Sequence, residues 1–285
     1  MSVLVTVLAH NEERRIAACL ESLPLGVSGV DVHVVVNGST DATADIATRV
    51  GAGHATVHRY ALGGKARSWN RFVLDEAPLA DTHVFVDGDA VVAPGSIERL
   101  VTTLHAHPRA NAAAGMPLNG RNAAGYRARL IAEHGLFGDL YALRGSFIER
   151  MRAAGVRMPD DLIGDDGLVA ALAKTDLADE THWVDARVVP CEGAGWWCEP
   201  TRLDDPATWR TQYRRMVAYS VRHFQNRIIS DIMRREGPCA LPRRLATLYP
   251  EWLDRFAPRA DPTLWWFDRQ ALRRMRGASD GPRGT

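Results

Sequence analysis

Asp87-Gly88-Asp89 places two carboxylates one residue apart at the exit of an apolar run, His83-Val84-Phe85-Val86. Ionised carboxylates beside a core need a cation or dedicated hydrogen-bond donors. A hard divalent ion that also bridges to a diphosphate would satisfy them. Such an arrangement suits group transfer from a nucleotide-activated substrate. The competing explanation is a plain strand-exit turn, in which Asp and Gly are common. The elements around the motif decide between the two.

The first hundred residues alternate strand and helix. Val3 to Ala9 reads as a buried strand. Glu12 to Leu23 reads as a helix with Ile16, Cys19, Leu20 and Leu23 on one face. Strands are predicted at Val32 to Val36 and Ala55 to Tyr60, and helices after Asp41, from Lys65 to Ala77 and after Pro94. This alternation predicts a mostly parallel, doubly wound α/β sheet, whose ligands bind outside the carboxyl ends of the strands. His10-Asn11-Glu12, Asn37 to Asp41, Gly63-Gly64-Lys65 and Asp87 to Asp89 all fall at those ends. Four polar segments converging on one rim are more than a turn-only explanation requires. Beyond Ala110 the pattern is less regular. Ala112 to Met116 reads as a strand, Arg121 to Leu143 as interrupted helix and Trp183 to Pro190 as a late strand. A long helix starts at Pro206 with Asp205 as N-cap, and Gly277 to Thr285 reads as a frayed end.

Composition fits a soluble globular chain: of 285 residues, 46% are hydrophobic and 24% charged. No apolar run approaches the roughly 18 residues of a spanning helix, and no secretory leader is expected. The four cysteines, Cys19, Cys191, Cys198 and Cys239, lack metal-ligand spacing and read as reduced cytosolic thiols. Charge is unevenly placed. From Pro206 onward sixteen Arg face seven Asp or Glu, whereas residues 1–205 hold nineteen Lys or Arg against twenty-seven acids. An acidic first part suits a metal site, and a basic tail suits phosphates, an acidic partner or an anionic membrane.

Several motifs in order resemble family-2 glycosyltransferases. Val7-Leu8-Ala9-His10-Asn11-Glu12-Glu13 resembles the family's opening strand and turn, and Val34 to Asp41 its second strand with the Gly-Ser-Thr-Asp turn. Gly64-Lys65-Ala66-Arg67 with Asn70, Val86-Asp87-Gly88-Asp89 and Gly164-Asp165-Asp166 follow, and Gln212-Tyr213-Arg214-Arg215 is loosely similar to a Gln-X-X-Arg segment. The resemblance spans residues 3–215. It implies the GT-A fold, a Rossmann-like, mostly parallel sheet flanked by helices. Residues 1–205 are the expected catalytic domain, with the nucleotide-sugar part at about 1–118 and the acceptor part at about 119–205. Residues 206–285 are expected to be a helical extension.

The resemblance further implies an inverting transfer from a nucleotide-diphosphate sugar, UDP-sugar first, to an acceptor hydroxyl. Asp87 and Asp89 are the expected ligands of Mn²⁺ or Mg²⁺, hard ions that suit oxygen donors. A cation there, with Lys65 near the phosphates, would stabilise the departing diphosphate. Ala9, Asn11, Glu12, Asn37, Asp41, Gly88 and Arg215 complete the expected nucleotide-sugar site, Asn37 at the base. Asp166 is the expected general base, with Asp165 second. Gly145 to Phe147, Trp196 and Trp197 are acceptor-side candidates, Arg214 is a second candidate for the diphosphate, and His182 and His223 are remote candidates for a third metal ligand. Asp160-Asp161 reads as a solvated loop.

The acceptor is a sugar, a lipid-linked molecule or a small molecule; no nucleic acid is expected. The Trp- and Arg-rich tail leaves open peripheral contact with the inner membrane face of a cytoplasmic protein, or a homodimer through the C-terminal helices. A sugar-nucleotide-forming nucleotidyltransferase would carry a Gly-rich phosphate loop, and residues 8–15 show none. A binding module without turnover would not need both acidic motifs.

Overall fold

The computed structural model describes residues 1–199 and 206–279. In chain order the elements are β1 (Val3–Ala9), α1 (Ile16–Glu21), β2 (Val30–Asn37), α2 (Thr43–Gly51), β3 (Ala55–Tyr60), α3 (Lys65–Trp69), β4 (Thr82–Asp87), β5 (Ala90–Val92) and α4 (Ser96–Ala106). They continue with β6 (Ala112–Pro117), α5 (Ala123–Glu133), β7 (Leu140–Arg144), α6 (Gly145–Ala154), α7 (Asp165–Thr175), β8 (Val188–Cys198), α8 (Pro206–Arg235), α9 (Tyr249–Trp252) and α10 (Pro262–Ser279). One eight-stranded sheet runs in the order β3-β2-β1-β4-β7-β6-β8-β5. β3, β2, β1 and β4 are parallel, while β7 and β5 run against their neighbours.

Every residue of β1 is buried, as expected of a strand covered on both faces. Val3, Val5 and Val7 face α1 and α4; Leu4 and Leu8 face a second core. That second core continues without a break from Trp69, Phe72 and Phe85 through α7 into Val221, Phe224 and Ile228 of α8 and Leu272 of α10. The C-terminal helices therefore share a core with the α/β sheet.

The early elements fall where the sequence places them, with α1 shorter and β2 longer than expected. The Lys65 helix changes after α3 into a π-helical stretch, Asn70–Glu76. Larger differences come later. The segment 121–143 is not one interrupted helix: His134 takes a left-handed conformation (φ 47°), the Gly135 N–H bonds back to Leu130 O, and the chain re-enters the sheet as β7. The late strand begins at Val188 and runs on to Cys198, held by pairing with β6 and β5. Asp205 and residues 280–285 lie outside the described residues, and Gly277 belongs to α10. Among the described residues no helix is long and apolar enough to cross a membrane.

Candidate active site

The turns after β1, β2, β3 and β4 meet at one rim, around a cleft of about 480 Å³ lined by His10, Glu12, Asn37, Gly64, Lys65 and Asp87 to Asp89, among others. Their polar groups hold one another. The Asn37 amide donates to Ala9 O (3.0 Å) and accepts from Gly64 N–H (3.2 Å), while His10 Nδ1 donates to Asn37 O (2.6 Å). Asn11 sits at φ 55°, a conformation that Asn tolerates. It accepts from Thr40 N–H and takes a bond from its own N–H to Ser39 Oγ. Asp41 accepts from the backbone N–H of Glu13 and Thr43; burial would raise its carboxyl, but the Thr43 bonds outweigh it and hold it low.

These partners revise the expected nucleotide contacts. Asn37 is buried at the cleft, and its amide ties the turns together through one donated and one accepted bond. Ala9 is fully buried and cannot reach a ligand with its side chain. It lies under Gly88, where a Cβ would come within 2.8 Å of Ala9 Cβ. Asn11 and Asp41 tie the first two turns to each other.

Carboxylates dominate the centre. Asp87, Asp89 and Asp139 each bring an oxygen within 4.8 Å of the others. Asp139 was not foreseen. It immediately precedes β7, and because β7 runs antiparallel to β4 its start lies at the same rim as Asp87; the Asp87 N–H bonds to Asp139 O (3.3 Å). The same topology removes Gly145 to Phe147 from the acceptor side. Gly145 follows the other end of β7 and donates to Asp81 O, a full strand away from Asp87, and Phe147 is buried in the core.

Lys65 Nζ stands 2.6 Å from Asp87 Oδ1 and 3.6 Å from Asp165 Oδ1. Gly138 leaves room for it, since a Cβ there would lie 2.9 Å from Nζ. Burial opposes the charge on Lys65, but Asp165 and Asp87 outweigh it and keep the ammonium protonated. Burial drives the Asp87 carboxyl well above the ordinary range; Lys65 opposes this, and Asp139 and Asp165 add to it. Burial, then Asp89, raises Asp139 to about 6. Burial, then Asp89, lifts Glu12 to about 7, although Arg15 reaches both acids, at 2.6 Å and 3.5 Å. Asp87 Oδ1 is buried without a hydrogen bond of good geometry. Three converging carboxylates, with Asp87 and Asp139 both driven up by burial and by neighbouring acids, fit a hard divalent cation.

Asp165 and Asp166 open α7 after Gly164, which takes φ 82°. Asp165 is buried against Lys65. Asp166 pairs with Arg222 of α8 at 2.9 Å. Gly164 is required here for a second reason, since a Cβ would sit 2.3 Å from Arg222 Nε. Burial raises the Asp166 carboxyl, Arg222 opposes the rise and Asp165 adds to it. Arg222 was also missed by sequence reading, although helical spacing puts it two turns beyond Arg215 on one face. Arg214 and Arg215 are exposed.

Asp161 is not solvated. It accepts from Leu245 and Ala246 N–H, and Gln225 joins the same loop through Ile163 N–H and Asp161 O. Trp196 is buried against Phe137 and is a packing residue; Trp197 remains 40% exposed. His182 pairs with Asp179, and His223 packs on Phe224; neither joins the carboxylates. Cys198, one of the four free cysteines, donates to Asp139 at 3.2 Å.

Residues 4–162 match the glycosyl transferase family 2 model. Protein RfbJ of Shigella flexneri is 33% identical over 104 residues, which is 35% of this chain and 77% of that protein. Two solved structures share the fold. The mannosyltransferase PcManGT from Pyrobaculum calidifontis, in complex with GDP-Man and Mn²⁺, has a TM-score of 0.62 at 22% identity, covering 98% of this chain and 76% of that one. Glucosyl-3-phosphoglycerate synthase from Mycobacterium tuberculosis, with Mn²⁺, UDP-glucose and phosphoglyceric acid, has a TM-score of 0.57 at 19% identity, covering 85% of this chain and 80% of that one.

Proposed function

The chain belongs to glycosyl transferase family 2 and is a glycosyltransferase, and from that premise we propose that it moves a sugar from a nucleotide-diphosphate sugar to an acceptor hydroxyl with inversion. The observation that carries this reading is the placement of Lys65 between two carboxylate sets: Asp87 with Asp89 and Asp139 on one side, Asp165 beside Asp166 on the other. Donor and acceptor halves of a displacement would meet at that lysine.

Asp87, Asp89 and Asp139 would hold Mn²⁺ or Mg²⁺. The ion, when bound, supplies Lewis-acid stabilisation of the diphosphate leaving group. Lys65 is the protein's own cation for that charge. Glu12, Asn11, Asn37, Asp41 and Gly88 shape the nucleotide side, mostly by holding the turns in place. UDP-sugar is the first donor to test and GDP-sugar the second, since the two solved neighbours are described with UDP-glucose and GDP-Man.

Asp166 accepts the acceptor's proton as its oxygen attacks, and burial strengthens it as a base. Arg222 acts through Asp166 as a positioning residue, fixing the carboxylate from α8. Trp197 is the accessible aromatic for a sugar acceptor. In this reading residues 1–205 are the catalytic domain, and the helices between Pro206 and Ser279 brace its acceptor side and lend it Arg222. Arg215, exposed on the Arg222 face, is placed to meet an anionic substrate group.

Calorimetry with a panel of nucleoside diphosphates and nucleotide sugars tests the reading. Metal-dependent binding of one nucleotide, lost in Asp89→Ala, is expected. Binding of every nucleotide equally well without metal, and unchanged in that variant, would overturn it.

A further inference from the structure

The C-terminal helices present a surface that the proposed chemistry does not use. α8 and α10 pack together, with Tyr213 and Phe267 rings 5.9 Å apart. Beside that contact Trp209 is 68% exposed, Tyr213 46%, Trp265 41% and Trp266 52%. Aromatic side chains left in water at this density mark an interaction surface. α10 divides cleanly by helical spacing. Ala271, Leu272 and Met275 are buried, while Trp266, Arg269, Arg273 and Arg276 form an exposed stripe at i, i+3, i+7 and i+10. Arg269 also lies over the Trp265 ring at 4.7 Å.

The charge on this surface is predominantly positive, although the exposed Asp261 stands just ahead of α10. No Asp or Glu occurs between Pro206 and Ser230, where the exposed Arg210, Arg214 and Arg227 lie. The one carboxylate of α10, Asp268, is completely buried in an ion pair with Arg259 at 2.6 Å. Solvent therefore meets exposed Trp and Tyr side chains beside Arg269 and Arg273, on a surface where basic groups predominate. A helix face with Trp and Arg together suits the headgroup layer, where the indoles bury and the guanidiniums meet lipid phosphates.

We propose that this α8–α10 face docks on an anionic membrane surface. The occupant is the bilayer and not a second copy of the chain, because a two-fold contact would set this predominantly positive surface against itself. The same helix, α8, supplies Arg222 to the cleft, with Arg215 and the exposed Tyr219 on neighbouring turns. Docking would bring the acceptor side toward lipid-borne hydroxyls. That last step, a lipid-anchored acceptor, rests on the glycosyl-transfer reading; the docking does not.

Co-sedimentation of the full chain with vesicles of phosphatidylcholine alone, and of equimolar phosphatidylcholine and phosphatidylglycerol, tests it. Binding to the anionic vesicles only is expected, weakened by salt. It should fall by roughly tenfold or more in Arg269→Glu/Arg273→Glu and in Trp265→Ala/Trp266→Ala. Thermal melts confirm that both variants fold. Absence of binding to anionic vesicles, or equal binding by wild type and both variants, would overturn the proposal. So would light scattering that shows a dimer abolished by the Trp265→Ala/Trp266→Ala change, which would assign the face to a second copy. Nucleotide calorimetry on the same proteins keeps the readings apart: vesicle binding without nucleotide binding defeats the transfer reading and leaves the docking intact.

Discussion

The two walls of the cleft are built by different means. The proposed donor wall consists of turns that follow parallel strands, and its polar residues bond to one another across neighbouring turns: Asn37 to Ala9 and Gly64, Asn11 to Ser39 and Thr40. The proposed acceptor wall brings together residues far apart in sequence: Asp165 and Asp166 at the start of α7, and Arg222 from α8. The first wall holds its shape locally. The second depends on how the C-terminal helices dock, through Asp161 and Gln225 as much as through Arg222. A substitution in one wall should therefore leave a different signature from one in the other.

The largest effect is expected at the metal-facing carboxylates. Asp89→Ala should lower transfer on the order of a thousandfold and abolish metal-dependent nucleotide binding. Asp166→Asn should lower turnover by roughly 10²- to 10⁴-fold while nucleotide binding persists. Arg222→Gln should cost about tenfold to a hundredfold in kcat with little change in donor KM, and Arg222→Lys should recover part of it. Its acid limb should also move to higher pH, because losing the guanidinium leaves burial and Asp165 to raise Asp166 further.

Asp161→Ala tests the brace itself. Two backbone N–H groups would lose their acceptor, for a loss of roughly 2–4 kcal/mol of stability in a thermal or urea melt. An unchanged melt would show that the extension does not hold the acceptor wall.

The smallest effect concerns pH. Glu12 and Asp139 have folded values of about 7 and about 6, above those of an unfolded chain. Their contribution is full below about pH 4 and is lost as pH rises through 6 to 7. The metal-free protein should lose a few degrees of Tm over that range, and Mn²⁺ should restore more at pH 8 than at pH 5. A metal-induced shift independent of pH would argue against Asp139 as a ligand.

The difference between the walls also governs what the sequence reveals. Asp87 to Asp89, Lys65 and the β1 and β2 turns are contiguous motifs at the ends of strands whose direction follows from strand–helix alternation, so their convergence is legible. Asp139 is not, because its place depends on β7 running antiparallel, and 121–143 reads as helix until His134 turns left-handed. That one misread strand hides Asp139 and misplaces Gly145. Trp196 and Trp197 are alike in composition, but β8 buries one and exposes the other. Arg222 carries no motif; only the docking of α8 against Gly164 brings it to Asp166.

The most direct test compares donor binding and turnover in one variant, Asp166→Asn, under identical conditions with Mn²⁺. Separate walls require nucleotide-sugar affinity within about twofold of wild type and turnover lowered at least roughly a hundredfold. Turnover at the wild-type rate, or loss of binding in step with turnover, would contradict the assignment of Asp166 to the acceptor side.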